Sequence, residues 1–176
     1  MTHAGAEPAV RVRGLTKTFG PVTAIEDLSF DIRRGELFGI LGPNGSGKTT
    51  TIRILCGILR PTAGTAEVAG FDVVRHPDQV KRRIGYMSQE FGLYGDLTAR
   101  ENLRFYAGVY GIAEGWERRV DATVRAMRLH GLEDRLAETL SGGYKQRLAL
   151  GCAILHEPEI LFLDEPTAGI DPSARR

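Results

Sequence analysis

This chain lacks a charge excess, a long apolar run and a useful number of cysteines. Of its 176 residues, 23 are Lys or Arg and 22 are Asp or Glu, so the formal net charge is +1. That balance leaves no basic footprint for a nucleic acid. The short clusters Lys81-Arg82-Arg83 and Arg118-Arg119 read as solvated helix faces. No apolar run approaches the roughly 20 residues that a membrane-spanning helix needs. The N-terminal THAGAEPA has no apolar signal-peptide core and reads as a loose tail. The 2 cysteines, Cys56 and Cys152, are too few for a disulfide framework. Both fall in apolar helical patterns, as expected of reduced, buried thiols in a cytoplasmic protein. Internal repeats and low-complexity linkers are also missing, which excludes a solenoid or a string of modules. With 42% hydrophobic and 26% charged residues, the composition is that of one ordinary globular core.

The chain does carry a phosphate cradle. Gly42-Pro43-Asn44-Gly45-Ser46-Gly47-Lys48-Thr49 fits Gly-x-x-x-x-Gly-Lys-Ser/Thr, and Thr50 follows. It opens after the apolar run Leu37–Leu41, read as a core strand, and leads into a helix expected over 48–57. Glycines let the backbone curl with its N–H groups inward, where side chains would block an anion. The helix N-terminus adds its dipole. Lys48 can reach the outer phosphates of a nucleotide, and the Thr49 hydroxyl can ligate Mg²⁺.

An acidic pair ends a second apolar run. Ile160-Leu161-Phe162-Leu163 is the pattern of a strand buried on both faces of a parallel sheet. Asp164 and Glu165 follow at its carboxyl end, where ligands bind in open α/β sheets. Neighbours on a strand point to opposite sides, so their roles separate. Asp164 suits the metal shell; Glu165 suits an attacking water, as its general base or its positioner. Between the two features, Ser141-Gly142-Gly143 opens a helix whose buried face carries Leu148, Cys152 and Leu155. Alone it reads as a helix cap. Beside a phosphate loop it offers a hydroxyl and free N–H groups as a second anion surface.

The remaining pattern is α/β. Segments 10–19 and 24–32 read as strands around a turn at Gly20-Pro21. Pro61–Gly64 reads as a turn, 65–68 as a short strand, 77–83 as a short helix and 84–88 as a core strand ending at Gln89. From 90 to 158 the chain reads as a helical insertion. It includes a capping box at Thr98–Glu101 and an amphipathic helix marked by Trp116, Val120, Val124 and Met127, and ends on the helix at 143–156. Phe91, Leu93 and Tyr94 are large apolar groups in a Gly-rich segment. They either dock a partner or fold back on the insertion.

With these motifs in this order, the chain resembles the nucleotide-binding domain of ABC transporters. Gly42–Thr49 is similar to the Walker A loop, Ile160–Glu165 to the Walker B strand and Leu140–Arg147 to the signature sequence. Gln89 is similar to the Q-loop glutamine, Ala168–Asp171 to the D-loop, and Phe19 to the aromatic that stacks on adenine. The resemblance runs from about Val10 to the C-terminus, and the phrases around Gln89 and Glu165 look most like the bacterial ABC-2 type multidrug or antibiotic exporter group. It implies a P-loop NTPase core (37–89 and 159–176) with an antiparallel β subdomain (10–36) and an inserted helical subdomain (90–158). It also implies ATP and Mg²⁺ as cofactors, with Thr49, Gln89 and Asp164 toward the metal and Lys48, Gln89 and Glu165 toward catalysis. Two domains, identical or different, would pair head-to-tail, each ATP lying between Gly42–Thr50 of one and Ser141-Gly142-Gly143 of the other. Asp171 would lie in the seam. A transmembrane permease would dock near Phe91, Leu93 and Tyr94, placing the protein on the cytoplasmic face of the membrane.

One departure bears on activity. The family's switch histidine follows the D-loop, but His3, His76, His130 and His156 all precede Asp164. His156, after the signature helix, reads as a cation near its C-terminal dipole. The resemblance therefore implies a truncated form of the domain, with weak or no hydrolysis, exposed apolar surface and an unpaired sheet edge. Two rival readings follow: a nucleotide-binding or dimerisation module without turnover, and a non-transport ATPase of the same family. The latter would carry a second cassette, a coiled-coil insertion or a basic arm. A kinase or GTPase would not explain Leu140–Arg147.

Overall fold

The computed structural model describes residues 7–90 and 92–165. The chain divides into two compact units, Met1–Ile84 and Gly85–Arg176.

The first unit is built on a four-stranded antiparallel sheet. Strands β1 (Val10–Phe19), β2 (Val22–Ile32), β3 (Ala63–Val68) and β4 (Phe71–Asp72) run in the order β2-β1-β3-β4. The β1–β2 hairpin starts at Phe19↔Val22 around the expected turn and ends at Val10↔Ile32. Val10, Val12 and Leu15 are buried along β1, and the period-2 alternation breaks between Val12 and Leu15 where the register shifts. Gly64 lies at that irregularity with φ +79°, and a Cβ there would run into the Gly14 carbonyl oxygen. β3 thus extends two residues into what reads as a turn from sequence. Two helices complete the unit: α1 (Lys48–Leu55), which buries Thr51, Ile52, Ile54 and Leu55, and the short α2 (Pro77–Lys81).

Residues 37–41 do not form the expected strand. A β-strand exists only through its ladder, and no described residue pairs with this run. Leu37 is 100% exposed and Leu41 95%. Phe38 is held instead by stacking on Phe30 of β2, with ring centroids 5.2 Å apart.

In the second unit, β5 (Ile84–Met87, whose first residue closes the first unit) and β6 (Ile160–Leu163) form a two-stranded parallel sheet. The connection carries three helices, α3 (Ala99–Val109), α4 (Trp116–Ala126) and α5 (Gly142–Ile154), as a parallel crossover must carry some such element. Ala99, Leu103 and Ala107 form one stripe of α3 and pack with Val120 and Val124 of α4 and Leu148 and Cys152 of α5. Burial pushes the Cys152 thiol up to about 12, so it is a packing group and not a nucleophile. β6 departs from expectation: Phe162 is buried, but Leu161 and Leu163 remain 39% and 37% exposed. Among the described residues only β5 pairs with it, so its other edge has no strand partner there. His156 follows the C-cap of α5. Its ring stacks on Tyr110 at 3.7 Å, tying the end of α5 to the end of α3.

The capping box of α3 is complete. Glu101 N–H donates to Thr98 Oγ1 (3.2 Å), and Thr98 N–H donates to Glu101 Oε2 (2.8 Å). The second bond holds the Glu101 carboxyl below its ordinary pKa. A depressed folded-state pKa means that this contribution is present above the unfolded value and is lost as pH falls through the folded one. Thr98→Ala should lower the unfolding free energy by about 1 kcal/mol in urea titration. An unchanged midpoint would show the box to be dispensable.

Candidate functional site

The phosphate loop belongs to the first unit. Gly45 and Gly47 have φ +82° and +85°, a left-handed backbone that glycine adopts without strain. A Cβ on Gly47 would strike the Ala24 carbonyl oxygen, so this glycine sets the loop against β2. A Cβ on Gly45 would meet nothing within 4 Å, so the loop is open there. Ser46 N–H donates to the Pro43 carbonyl (3.2 Å), closing a turn through Asn44 and Gly45. Gly42 lies close against Ser46, where a Cβ would come within 2.5 Å of Oγ. Lys48 Nζ donates to the carbonyls of Gly42 (3.0 Å) and Pro43 (2.9 Å), so the ammonium lies over the loop it is expected to serve.

Thr49 and Thr50 occupy the first turn of α1. The buried Thr51, which sequence reasoning did not single out, donates from Oγ1 to the Gly47 carbonyl (2.9 Å) and ties the loop to the helix. A threonine run at a helix start was its only signal. Phe19 ends β1, 49% exposed, with Lys17 Nζ 4.9 Å from the ring centroid. It is a surface aromatic rather than a core one.

In the second unit, the pairing of β5 with β6 brings two expected residues together. Asp164 N–H donates to the Met87 carbonyl (2.9 Å), and Gln89 Nε2 donates to Glu165 Oε2 (3.3 Å). Asp164 is 2% exposed, whereas Glu165 is half-buried with φ +52°. A non-glycine residue in this left-handed region carries strain, as functional positions often do. Ser141 is the N-cap of α5, in extended conformation, and its hydroxyl makes no capping bond. Gly142 and Gly143 follow, exposed, on the first turn. Hydroxyl and helix N–H groups thus share this tip.

Phe91 and the segment Ala168–Asp171 lie outside the described residues. Leu93 folds back onto the helical core, while Tyr94 is 45% exposed and packs edge-on against Phe105 at 4.6 Å.

The donor types fit a magnesium nucleotide. Mg²⁺ takes oxygen ligands and keeps several waters and phosphate oxygens; the Thr49 hydroxyl of the first unit, and separately the Gln89 amide oxygen and Asp164 carboxylate of the second, are donors of that kind. The open glycine loop and Lys48 fit the phosphates.

Known proteins agree. The sequence profile of the ABC transporter family matches residues 25–168. A probable multidrug ABC transporter ATP-binding protein, YbhF of Escherichia coli (strain K12), is 45% identical over 97% of this chain and 30% of its own length. The linearmycin resistance ATP-binding protein LnrL of Bacillus subtilis (strain 168) is 40% identical over 94% of this chain and 54% of its own. The doxorubicin resistance ATP-binding protein DrrA of Mycobacterium tuberculosis (strain CDC 1551 / Oshkosh) is 39% identical over 96% and 52%. This chain therefore spans about half the length of such relatives, or less. A solved structure of an ATP-binding subunit of an ABC transporter superposes with a TM-score of 0.82 at 34% identity, over 94% of this chain and 70% of that one. The profile match runs through both units and the shared fold covers 94% of the chain, and on these grounds the chain belongs to the ABC transporter family, among its ATP-binding domains.

Proposed function

We propose that this chain is the ATP-binding part of a transporter that exports drugs or antibiotics, working as a pair of such domains beneath membrane subunits. The hydrogen bond between Gln89 and Glu165 carries the reading furthest, because it joins a candidate water-directing carboxylate to a candidate metal or water ligand. Gly42–Thr50 would cradle the phosphates of ATP, and Lys48 would leave its loop carbonyls to meet their charge. Phe19 would stack on the adenine. Bound Mg²⁺ would neutralise phosphate charge as it develops, held by Thr49 and Asp164, with the Gln89 amide oxygen as a further ligand. Glu165 would take a proton from the attacking water or orient it. Ser141, Gly142 and Gly143 would close on the phosphates held by a second domain, so that ATP binds the paired state better than the separate ones.

Membrane subunits would meet the exposed Tyr94 and the open groove of about 600 Å³ lined by Glu101, Arg104, Phe105, Gly108 and Val109. Among the described residues no helix is long and apolar enough to cross a membrane. Membership of the family supports a place on the cytoplasmic face.

Calorimetric titration with Mg·ATP, run beside phosphate release, tests the reading. Binding with turnover supports an active ATPase, and binding without turnover makes this chain a nucleotide-dependent pairing module. Failure to bind ATP sinks both.

A further inference from the structure

Asn102 is a 0% exposed polar side chain with four hydrogen bonds, and the nucleotide chemistry above does not use it. Its Oδ1 accepts from Tyr94 N–H (2.9 Å). Its Nδ2 donates to the carbonyls of Tyr94 (3.0 Å), Leu97 (3.2 Å) and Thr98 (3.0 Å). All four bonds reach the segment that leads from Gln89 to α3.

The same segment is bonded on its other side to the residues that lead into Ser141. Glu138 N–H donates to the Gly95 carbonyl (3.1 Å), Ala137 N–H donates to the Leu97 carbonyl (2.9 Å), and Thr98 pairs with Leu136 in an antiparallel bridge. The Leu97 carbonyl thus takes one bond from Asn102 and one from the approach to the signature tip. The pairing runs into the short 3₁₀ turn Ala137–Thr139, and only Thr139 and Leu140 separate it from Ser141. At the near end, Tyr106 Oη donates to the Gly92 carbonyl (2.6 Å). A buried amide whose two edges are both satisfied fixes backbone firmly, because each released carbonyl would carry its own desolvation cost.

We propose that Asn102 is a positioning residue that makes residues 94–98 a rigid bridge between the Gln89 end of β5 and the Ser141 tip of α5. The tip then shifts with the segment that carries Gln89, and closure on a nucleotide in a second domain is conveyed to the catalytic glutamine. Only the role of the tip rests on the two-domain reading above; the bridge itself rests on these hydrogen bonds.

The test has two arms, both on the full chain. The first is amide hydrogen exchange on Asn102→Leu and Asn102→Asp. In the leucine variant, Tyr94, Ala137 and Glu138 should exchange about tenfold faster or more, with the amides of α4 unchanged. In the aspartate variant, which keeps the acceptor and loses the donors, Ala137 and Glu138 should lose more protection than Tyr94; it also serves if the leucine variant fails to fold. Unchanged protection at Ala137 and Glu138, or equal acceleration throughout α4, overturns the bridge. The second arm uses Mg·ATP as probe in a Glu165→Gln background. Substitution of Asn102 should leave the affinity of the single chain within about twofold while raising the ATP concentration for half-maximal pairing by about tenfold, as a coupling residue does. Equal losses in both quantities, or in neither, overturn the positioning role. If the parent background never pairs in ATP, the two-domain reading fails instead, and the exchange arm alone decides the bridge.

Discussion

Glu165→Gln is expected to keep ATP binding and to cut turnover by about 10²–10⁴-fold, the usual worth of a positioned general base. The substitution is close to isosteric. A glutamine oxygen can still accept from Gln89 Nε2, so the 3.3 Å contact across the ends of β5 and β6 survives. What disappears is a group that can hold a proton from water. The phosphate loop lies in the first unit and is untouched, so affinity should stay near that of the parent. On the proposed two-domain reading ATP would favour the paired state and hydrolysis would be the exit from it, so pairs should accumulate in ATP and be visible by size-exclusion chromatography. Glu165→Ala should differ by losing the partner of Gln89 as well, which separates the base from its hydrogen-bonded scaffold. Parent-like hydrolysis by Glu165→Gln would remove this residue from the chemistry.

The two strands that carry Gln89 and Glu165 were legible for a simple reason. Each is a short apolar run ended by a polar residue, and a parallel sheet presents its ligand groups at that end. The same logic misplaced residues 37–41. An apolar run announces burial, but burial as a strand needs a ladder partner far away in sequence, and a local pattern does not report whether one is present. Among the described residues no strand pairs with 37–41 and only β5 pairs with β6, and Leu37, Leu41, Leu161 and Leu163 are exposed. The helices read more accurately because their signals are local. Thr98 and Glu101 satisfy each other within one turn, and Ala99, Leu103 and Ala107 recur at the helical period.

The candidate site residues stand out as types at fixed spacing, whereas the contacts that support them do not. Thr51 tying the loop to α1, the Ala24 carbonyl beneath Gly47, and Asn102 gathering three carbonyls are contacts of ordinary residues, and only the folded chain brings them together. The stacking of His156 on Tyr110 is a contact of the same kind. Residue type at fixed spacing picks out candidates where the backbone and a few charged groups would do the chemistry. It says little where packing decides.

Lys48→Ala should weaken ATP binding and turnover together. A hydrogen bond to a charged group contributes about 1.5–3 kcal/mol, which corresponds to about 10- to 150-fold in Kd. The geometry here places Lys48 within 3.0 Å of the Gly42 carbonyl and 2.9 Å of the Pro43 carbonyl, so the ammonium also helps hold the loop closed over its own glycines. Alanine removes both functions, the charge for the phosphate and the clasp on the loop. Lys48→Arg separates them. Its guanidinium keeps the charge and can still donate to carbonyls, but as a planar fork it fits a compact phosphate corner less well than a single ammonium. Arginine should therefore recover part of the affinity and less of the turnover, measured by calorimetry beside phosphate release. Gly47→Ala provides the backbone control: its Cβ meets the Ala24 carbonyl oxygen, so the loop must shift even with the charge in place, and affinity should fall without any change at Lys48. If Lys48→Ala binds Mg·ATP as the parent does while Gly47→Ala fails, the cradle works through its backbone alone, and the lysine belongs to the loop rather than to the nucleotide.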